Sequence, residues 1–221
     1  MSGKKNNKNQ LTCGDCSTVS CNYRTTPFPA FCLTEAQDAA EIEEVSRIYR
    51  EDPLISKVTA AAAEIEGVYY GKLTRVEEVA AFAKRINARK VGIATCVGLI
   101  NETRAFVKFL DAQGIKSYTV ACKVGAVDKT EVGIPAEHKI KKGEHESACN
   151  PVLQARILAR EKTDLNVIVG LCVGHDSMFI KYSEALTTYL VVKDRVLAHN
   201  PVGALHCSHS YYKKFTEDLN L

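Results

Sequence analysis

The stretch Val91-Gly92-Ile93-Ala94-Thr95-Cys96-Val97-Gly98 decides the fold of this chain, because it recurs in outline at Asn166-Val167-Ile168-Val169-Gly170-Leu171-Cys172-Val173-Gly174. Each is a short, nearly continuous apolar run that is followed by cysteine, with glycine two residues later. Such runs are typical of strands that are buried on both faces, as in a parallel sheet. We therefore predict two buried parallel strands, Val91–Thr95 and Asn166–Leu171.

Helical segments separate these strands. Glu102–Gln113 has helical periodicity and stops at Gly114, a third strand is predicted over Ser117–Ala121, and Asn150–Pro151 opens a further helix. Strands that alternate with helices predict a mostly parallel sheet covered by helices on both faces. The predicted fold class is therefore α/β with three layers, over residues 68–221.

Two segments of this predicted domain have less regular patterns. Thr188–Val192 and Val196–His199 flank Lys193-Asp194-Arg195, which predicts a closing hairpin. The segment between Cys122 and Cys149 is long, charged and without periodicity, so we expect a functional or mobile loop there.

The region before the sheet is predicted to be a helical connector over residues 34–67. Thr34 with Gln37 forms a capping-box pattern that opens a helix, Asp52–Pro53 opens the next one, and Gly67 is the expected terminator. Thr74 with Glu77 is a second capping box. Residues 1–10 are polar and basic, which predicts a disordered tail.

Residues 11–33 form a cysteine-rich segment with the spacing Cys-x2-Cys-x4-Cys-x10-Cys, and its cysteines are Cys13, Cys16, Cys21 and Cys32. The segment has little apolar material with which to fold, and a bound metal would supply the missing free energy. Four thiolates suit either a 4Fe-4S cluster or tetrahedral zinc. Zinc modules more often pair two Cys-x2-Cys turns, whereas this segment has one, so the spacing favours iron–sulfur over zinc.

A second group of cysteines follows the predicted strands. Cys96, Cys122 and Cys172 each come directly after a strand, and Cys149 precedes the helix that opens at Asn150. The carboxyl ends of parallel strands meet at the edge where open α/β sheets bind ligands. His175 follows Cys172 on that edge and is a candidate ligand, acid or base, whereas Asp176 is expected to be a helix cap.

These strand-end residues leave three hypotheses open. They could hold a second cluster, or a metal with an open position, using the candidate cofactor-binding residues Cys96, Cys122, Cys149, Cys172 and His175. They could instead be small buried hydrophobes. A phosphatase-type nucleophile is disfavoured, because the residue six positions after each strand-end cysteine is not arginine.

Composition limits the classes of partner and compartment. The chain has 221 residues, 46% hydrophobic and 25% charged, with a net charge of +3 that is accounted for by three lysines in the first ten residues. A neutral body argues against a nucleic-acid partner. No signal peptide or membrane-length apolar run is present, which predicts a cytoplasmic protein with no membrane partner. In a reducing cytosol, nine clustered cysteines indicate metal or redox chemistry rather than disulfides.

The N-terminal cysteines, together with Ala148-Cys149-Asn150-Pro151-Val152-Leu153-Gln154-Ala155 and Val169-Gly170-Leu171-Cys172-Val173-Gly174-His175-Asp176-Ser177, resemble an uncharacterised prokaryotic family of about this length. Its members are described only as metal-binding proteins with a domain of unknown function. The resemblance covers nearly the whole chain. It implies metal binding and implies no established activity.

The function expected from the sequence is that of an iron–sulfur protein with a redox or sulfur-related role. The N-terminal cluster would pass electrons to a second site at the sheet edge, and the partner would be an electron-transfer protein or a small-molecule substrate. The alternative is a zinc-stapled protein that binds a ligand or partner without redox activity. A metal sensor or delivery protein is a third hypothesis. Whether the protein is an enzyme does not follow from the residues.

Overall fold

The computed structural model describes residues 10–217, so the predicted disordered tail lies outside the described residues except for Gln10. The chain divides into two compact units, residues 1–60 and 61–221. All nine cysteines are free thiols.

The first unit begins with short elements and continues with long helices. In chain order, these are a 3-10 turn at Cys13–Asp15, α1 (Ser20–Tyr23), α2 (Ala39–Glu51) and α3 (Pro53–Tyr69), the last of which extends into the second unit. The Asp52 side chain accepts hydrogen bonds from the amides of Leu54 and Ile55, each over 2.9 Å, which confirms the predicted start of α3.

Two predicted helix boundaries in this region are wrong. The helix predicted to open at Thr34 begins at Ala39, because the Asp38 side chain caps it by accepting a hydrogen bond from the Ala40 amide over 2.9 Å. Gly67 lies inside α3 and does not end it. The glycine that follows the end of α3 in a left-handed conformation is Gly71, at φ +65°.

The second unit alternates helices and strands. Its elements are α4 (Arg75–Arg85), β1 (Lys90–Thr95), a 3-10 turn at Val97–Leu99, α5 (Ile100–Ala112), β2 (Lys116–Ala121), 3-10 turns at Lys129–Val132 and Ala136–His138, α6 (Pro151–Arg160), β3 (Leu165–Val169), α7 (His175–Tyr182), β4 (Leu186–Val191), α8 (Val202–His206) and a 3-10 turn at Lys213–Thr216. The capping box of Thr74 and Glu77 is present at the start of α4. Within residues 10–217, no helix is long and apolar enough to cross a membrane.

The four strands form one parallel sheet in the order β2-β1-β3-β4. Thr95, the last residue of β1, pairs with Ala121 of β2 and Val169 of β3, so these three strands end at the same level. The predicted closing hairpin is wrong. The chain turns after β4 because the Asp194 carboxylate accepts hydrogen bonds from the amides of Val196 and Leu197, each over 2.8 Å.

Helices cover both faces of the sheet, which confirms the three-layer α/β prediction. On one face, strand residues such as Ile93 and Val167 pack with α4 and α5 in a buried cluster. On the other face, Ala94 and Ile168 pack with residues of α6 and with Phe179 of α7. Alternate residues of β1 and β3 therefore serve two cores, as expected for strands that are apolar throughout.

Candidate functional site

Two thiols lie side by side where β1 and β2 end. The Cys122 amide donates a hydrogen bond to the Thr95 carbonyl over 2.8 Å, and the Cys96 amide donates one to the Val169 carbonyl over 3.0 Å. The Val97 amide also donates to the Cys122 sulfur over 3.4 Å. The ladder of the parallel sheet therefore continues one residue beyond the strands and brings Cys96 and Cys122 together, as the sequence predicts.

The start of α6 brings Cys149 to this pair. The Asn150 amide donates a hydrogen bond to the Cys122 carbonyl over 2.7 Å, and the Asn150 side chain caps α6 by accepting one from the Leu153 amide over 3.0 Å. The thiols of Cys149 and Cys122 then lie close enough for each to shift the pKa of the other. The predicted helix start at Asn150 is thus confirmed, and it positions Cys149 over the sheet edge.

His175 is the last member of the group. It is the first residue of α7, and its amide donates to the Cys172 carbonyl over 2.9 Å. The His175 ring lies close enough to Cys149 for Cys149 to raise the pKa of His175. The Nδ1 atom of His175 is buried and has no hydrogen-bond partner among the described residues. The prediction that Asp176 caps the helix is wrong, because Gly174, at φ +82°, occupies the cap position and Asp176 lies within the first turn.

The result is a row of groups that we call the thiol row: Lys193, Cys96, Cys122, Cys149 and His175. The Lys193 ammonium donates to the Cys96 sulfur over 3.4 Å at one end, and the His175 ring contacts Cys149 at the other. Hydrogen bonding from Cys122 is the main cause that lowers the pKa of Cys96 to about 5. It also lowers the pKa of Cys149 to about 4, and His175 adds to that effect.

The middle thiol behaves in the opposite way. The flanking sulfurs of Cys149 and Cys96, together with burial, raise the pKa of Cys122 well above that of an ordinary thiol. Cys149 also raises the pKa of His175. The electrostatically favoured arrangement is therefore a protonated Cys122 between two thiolates, with a cation at each end of the row. Because Cys122 has one proton, it donates to one neighbour at a time, and the cations stabilise whichever thiolate is left without it.

Cys172 lies outside the thiol row. The Arg195 guanidinium donates a hydrogen bond to its sulfur over 2.9 Å. Cys172 and Arg195 line a cavity of about 500 Å³, which Cys149 and His175 also line. The structure thus brings all five candidate residues to one edge of the sheet. Four of them belong to the thiol row, and Cys172 lies on the wall of the adjoining cavity.

The segment between Cys122 and Cys149 forms much of that cavity wall. It is organised around Asp128, which is 7% exposed. The Asp128 carboxylate accepts hydrogen bonds from the amides of Thr130 and Glu146, over 2.9 and 2.8 Å, and pairs with the Lys139 ammonium at 2.7 Å. Lys139 is the main cause that lowers the pKa of Asp128 far below its usual range. The segment is therefore an ordered loop whose apolar residues, such as Val127, face the cavity.

The cavity is also basic. Lys123, Lys129 and Arg195 line it together with the carboxylate Glu146. Glu146 pairs with Lys129 at 2.7 Å, and that pairing lowers the pKa of Glu146 to about 2. Among residues 10–217, Lys123 and Arg195 make no salt bridge to a carboxylate. The charges of these two side chains are thus not neutralised by a carboxylate, and they would attract a negatively charged ligand.

The four N-terminal cysteines share a separate, small cavity. Cys13, Cys16, Cys21 and Cys32 all line a space of about 60 Å³. The Val19 amide donates to the Cys16 sulfur over 3.4 Å. A hydrogen bond with the Thr18 hydroxyl and this amide together lower the pKa of Cys16. The four cysteines that the sequence groups by their spacing thus line one cavity in the structure.

The side chains within residues 10–217 contain no group of three or more His, Cys, Asp or Glu residues arranged to hold a metal ion. The prediction of a cluster or zinc ion at either cysteine group thus stays a prediction. At the sheet edge, the thiols follow one another in a row rather than facing a common centre.

Three cationic residues at this edge of the sheet are not predicted as candidates from the sequence. The predicted hairpin turn contains Lys193 and Arg195, and the unpatterned loop contains Lys123. The signal was present, because Lys193 and Arg195 follow β4, and Lys123 follows the cysteine at the end of β2. The rule that identified the cysteines, position just after a parallel strand, also identifies these cations.

Residues 32–190 match DUF1847, a family described as a protein of unknown function. The chain belongs to this family. An uncharacterized protein of Methanocaldococcus jannaschii is 48% identical over 161 residues, which cover 73% of this chain and 81% of that protein. No solved structure matches the chain. The range matched by this DUF1847 family contains all five sheet-edge candidates but, of the N-terminal cysteines, only Cys32.

Proposed function

We propose that this DUF1847 protein is a metal-binding redox protein, in which the N-terminal cysteines hold an iron–sulfur centre and the sheet-edge thiols carry out redox or sulfur chemistry. The observation that carries the metal-binding part is the common cavity of Cys13, Cys16, Cys21 and Cys32. Four cysteines that line one small space suit the ligand set of a 4Fe-4S cluster or of zinc.

The packing of the first unit supports a ligand in this cavity. Among residues 10–60, Ser20 alone is buried, so this stretch has no hydrophobic core of its own. A chain of this kind needs another source of folding free energy, and metal–thiolate bonds supply it in small metal-binding domains. The amide of Val19 that donates to the Cys16 sulfur would also stabilise a thiolate ligand.

The sheet edge supports the redox part of the proposal. A bound iron–sulfur cluster supplies one-electron transfer. The thiol row keeps the Cys149 thiolate available beside a cavity, and a cytoplasmic location, expected from the sequence, keeps such thiols reduced. A small-molecule substrate would occupy the cavity, and an electron-transfer partner would exchange electrons with the N-terminal centre.

Metal analysis of three proteins tests the proposal. Wild-type protein, Cys16→Ser and Cys207→Ser would be purified without oxygen, and iron, sulfide, zinc and the visible spectrum would be measured. Cys207→Ser is the matched control, because Cys207 belongs to neither cysteine group. We expect about four iron and four sulfide per wild-type chain, on cubane stoichiometry, and a loss of most of this iron only in Cys16→Ser.

Other results would change the assignment. About one zinc per chain without colour would favour the zinc-stapled binding protein. Cys16→Ser with wild-type metal content would contradict metal binding by the N-terminal segment. About eight iron per chain would place a second cluster at the sheet edge.

A further inference from the structure

We propose that Cys149 and Cys122 are a redox-active dithiol pair, in which Cys149 attacks a small anionic disulfide bound in the cavity and Cys122 then closes an intramolecular disulfide. This inference deepens the redox part of the proposed function and does not depend on a metal at the N-terminal cysteines.

The two thiols are adjacent and differ in access to the cavity. The Asn150 amide donates a hydrogen bond to the Cys122 carbonyl over 2.7 Å, which holds the backbone at the start of α6, next to Cys149, against the end of β2, next to Cys122. Cys149 lines the cavity of about 500 Å³, whereas Cys122 is 3% exposed. A substrate can therefore reach Cys149, and Cys122 can act only after the substrate is attached to Cys149.

The first step is a thiol–disulfide exchange. The Cys149 thiolate attacks one sulfur of the substrate disulfide, the substrate S–S bond breaks, and a mixed disulfide forms on Cys149. The other half of the substrate leaves as a thiolate and takes a proton from the His175 imidazolium. His175 lines the cavity together with Cys149, so its ring is placed to provide this proton.

The second step closes the protein disulfide. In the mixed disulfide, Cys149 no longer carries the negative charge that is the main cause of the raised pKa of Cys122. Cys122 then passes its proton to the Cys96 thiolate, and its sulfur attacks Cys149. The mixed disulfide breaks, the remaining substrate half leaves as a thiolate, and a Cys122–Cys149 disulfide forms. The substrate gains two electrons and the protein dithiol loses two. A dithiol reductant returns the pair to its reduced state by the same exchange chemistry.

The cavity indicates the charge of the substrate. Lys123 and Arg195 line it without a carboxylate partner in the described part of the chain, whereas Lys129 is neutralised by Glu146. Apolar side chains such as Val124 and Val127 make up much of the remaining surface. A short aliphatic disulfide with carboxylate ends meets both features, because its chain contacts apolar wall and its ends pair with the cations.

Three disulfides of similar size test the inference: the dianionic disulfide of mercaptoacetate, neutral hydroxyethyl disulfide and cationic cystamine. The reduced full-length protein would be mixed with each without oxygen, and the products would be located by peptide mass spectrometry. We expect a Cys122–Cys149 disulfide and release of both substrate halves as thiols. The dianion should react at least about tenfold faster than cystamine, by electrostatic attraction into the cavity.

Variants separate the roles of the residues. In Cys122→Ala, the substrate half should remain attached to Cys149 as a stable mixed disulfide. Cys149→Ser should form neither product at the sheet edge, and Cys207→Ser should react like wild type. Lys123→Gln should reduce the preference for the dianion over cystamine while still forming the Cys122–Cys149 disulfide.

The wild-type protein alone can overturn the inference, so the test does not depend on whether a variant folds. A disulfide between Cys149 and Cys172 would reject Cys122 as the resolving thiol, and a faster reaction with cystamine would reject the anionic substrate. If the sheet-edge thiols react with none of the three disulfides and Cys149→Ser loses iron, the sheet edge holds a second cluster and not a redox-active dithiol. The N-terminal metal content is measured separately, so its absence would reject the proposed iron–sulfur centre and leave the dithiol inference standing.

Discussion

Asp128 and Lys139 form an ion pair at 2.7 Å, and their side chains are only 11% and 9% exposed. The pair closes the loop between Cys122 and Cys149, because Asp128 also accepts hydrogen bonds from the amides of Thr130 and Glu146. One carboxylate therefore holds the cavity wall together. A buried carboxylate with this many donors is costly to remove, since its partners lose the acceptor that they share.

We expect Asp128→Asn to lower the melting temperature by several degrees at pH 7. Lys139 and backbone hydrogen bonds hold the pKa of Asp128 below the unfolded value of about 3.9. The stabilisation is thus fully present above that value and is lost as pH falls below it. The difference in melting temperature between wild type and Asp128→Asn should shrink between about pH 5 and pH 3.

Lys141→Gln is the matched control for this prediction. Lys141 pairs with Glu144 at 3.7 Å in the same loop, but both side chains are more than half exposed. An exposed pair contributes little to stability, so this variant should melt close to wild type at every pH. Equal effects of Asp128→Asn and Lys141→Gln would show that the Asp128 contacts do not organise the loop.

The reactivity of Cys149 should depend weakly on pH. Hydrogen bonds from Cys122 and then His175 lower the pKa of Cys149 to about 4, so its thiolate persists from about pH 8 to pH 6. Alkylation of N-acetylcysteine should fall about tenfold per pH unit below its pKa over the same range. Iodoacetamide labelling followed by peptide mass spectrometry measures both rates. A Cys149 rate that falls in parallel with N-acetylcysteine would contradict the thiolate assignment.

His175→Asn tests the origin of that low pKa. Removing the imidazole removes the cation beside Cys149, so the pKa of Cys149 should rise and its labelling rate should begin to fall at a higher pH than in wild type. Tyr211→Phe is the control, because Tyr211 is 92% exposed and is not part of the thiol row. An unchanged profile in His175→Asn would assign the low pKa to Cys122 alone.

Gly170 is required by both its backbone and its surroundings. It has a φ of +66°, and an added Cβ would lie 2.1 Å from the Cδ1 atom of Leu99. Gly170→Ala should therefore destabilise the protein by roughly 2–4 kcal/mol, from left-handed strain plus the clash. Gly133→Ala is the matched control, because its φ is +81° but no atom lies within 4 Å of the added Cβ, and strain alone costs about 1–2 kcal/mol. Urea unfolding of both variants would measure the difference, and equal losses would show that Leu99 moves aside.

The fold and the position of the cysteines at the sheet edge can be predicted, because the sequence patterns that indicate them are local. Each buried strand is a short apolar run, and the register of a parallel sheet then brings Cys96 and Cys122 to the same level. The contact between Cys149 and His175 is harder to predict from the sequence, because it depends on how the starts of α6 and α7 meet over the sheet. Sequence order places both residues near the edge but does not give their separation.

The errors have similar physical causes. Thr34 and Asp38 both suit a helix cap, and the contact that decides between them is a single hydrogen bond, which the Ala40 amide donates to the Asp38 carboxylate. The pattern around Lys193 and Arg195 predicts a turn, although each of these residues donates a hydrogen bond to a cysteine that is far away in the sequence. The order in the loop after Cys122 depends on Lys139 meeting Asp128, which no local pattern shows.

Removal of metal should affect the N-terminal segment and spare the sheet. Residues 10–60 bury Ser20 alone, whereas the second unit has two buried apolar clusters of its own. If metal–thiolate bonds hold the segment, chelation or Cys16→Ser should make residues around Cys13–Cys32 sensitive to protease while residues 61–221 stay resistant. Limited proteolysis with mass spectrometry would locate the first cuts, with Cys207→Ser as the control. A segment that resists protease equally with and without metal would show that it folds without the proposed centre, and the four cysteines would then need another explanation.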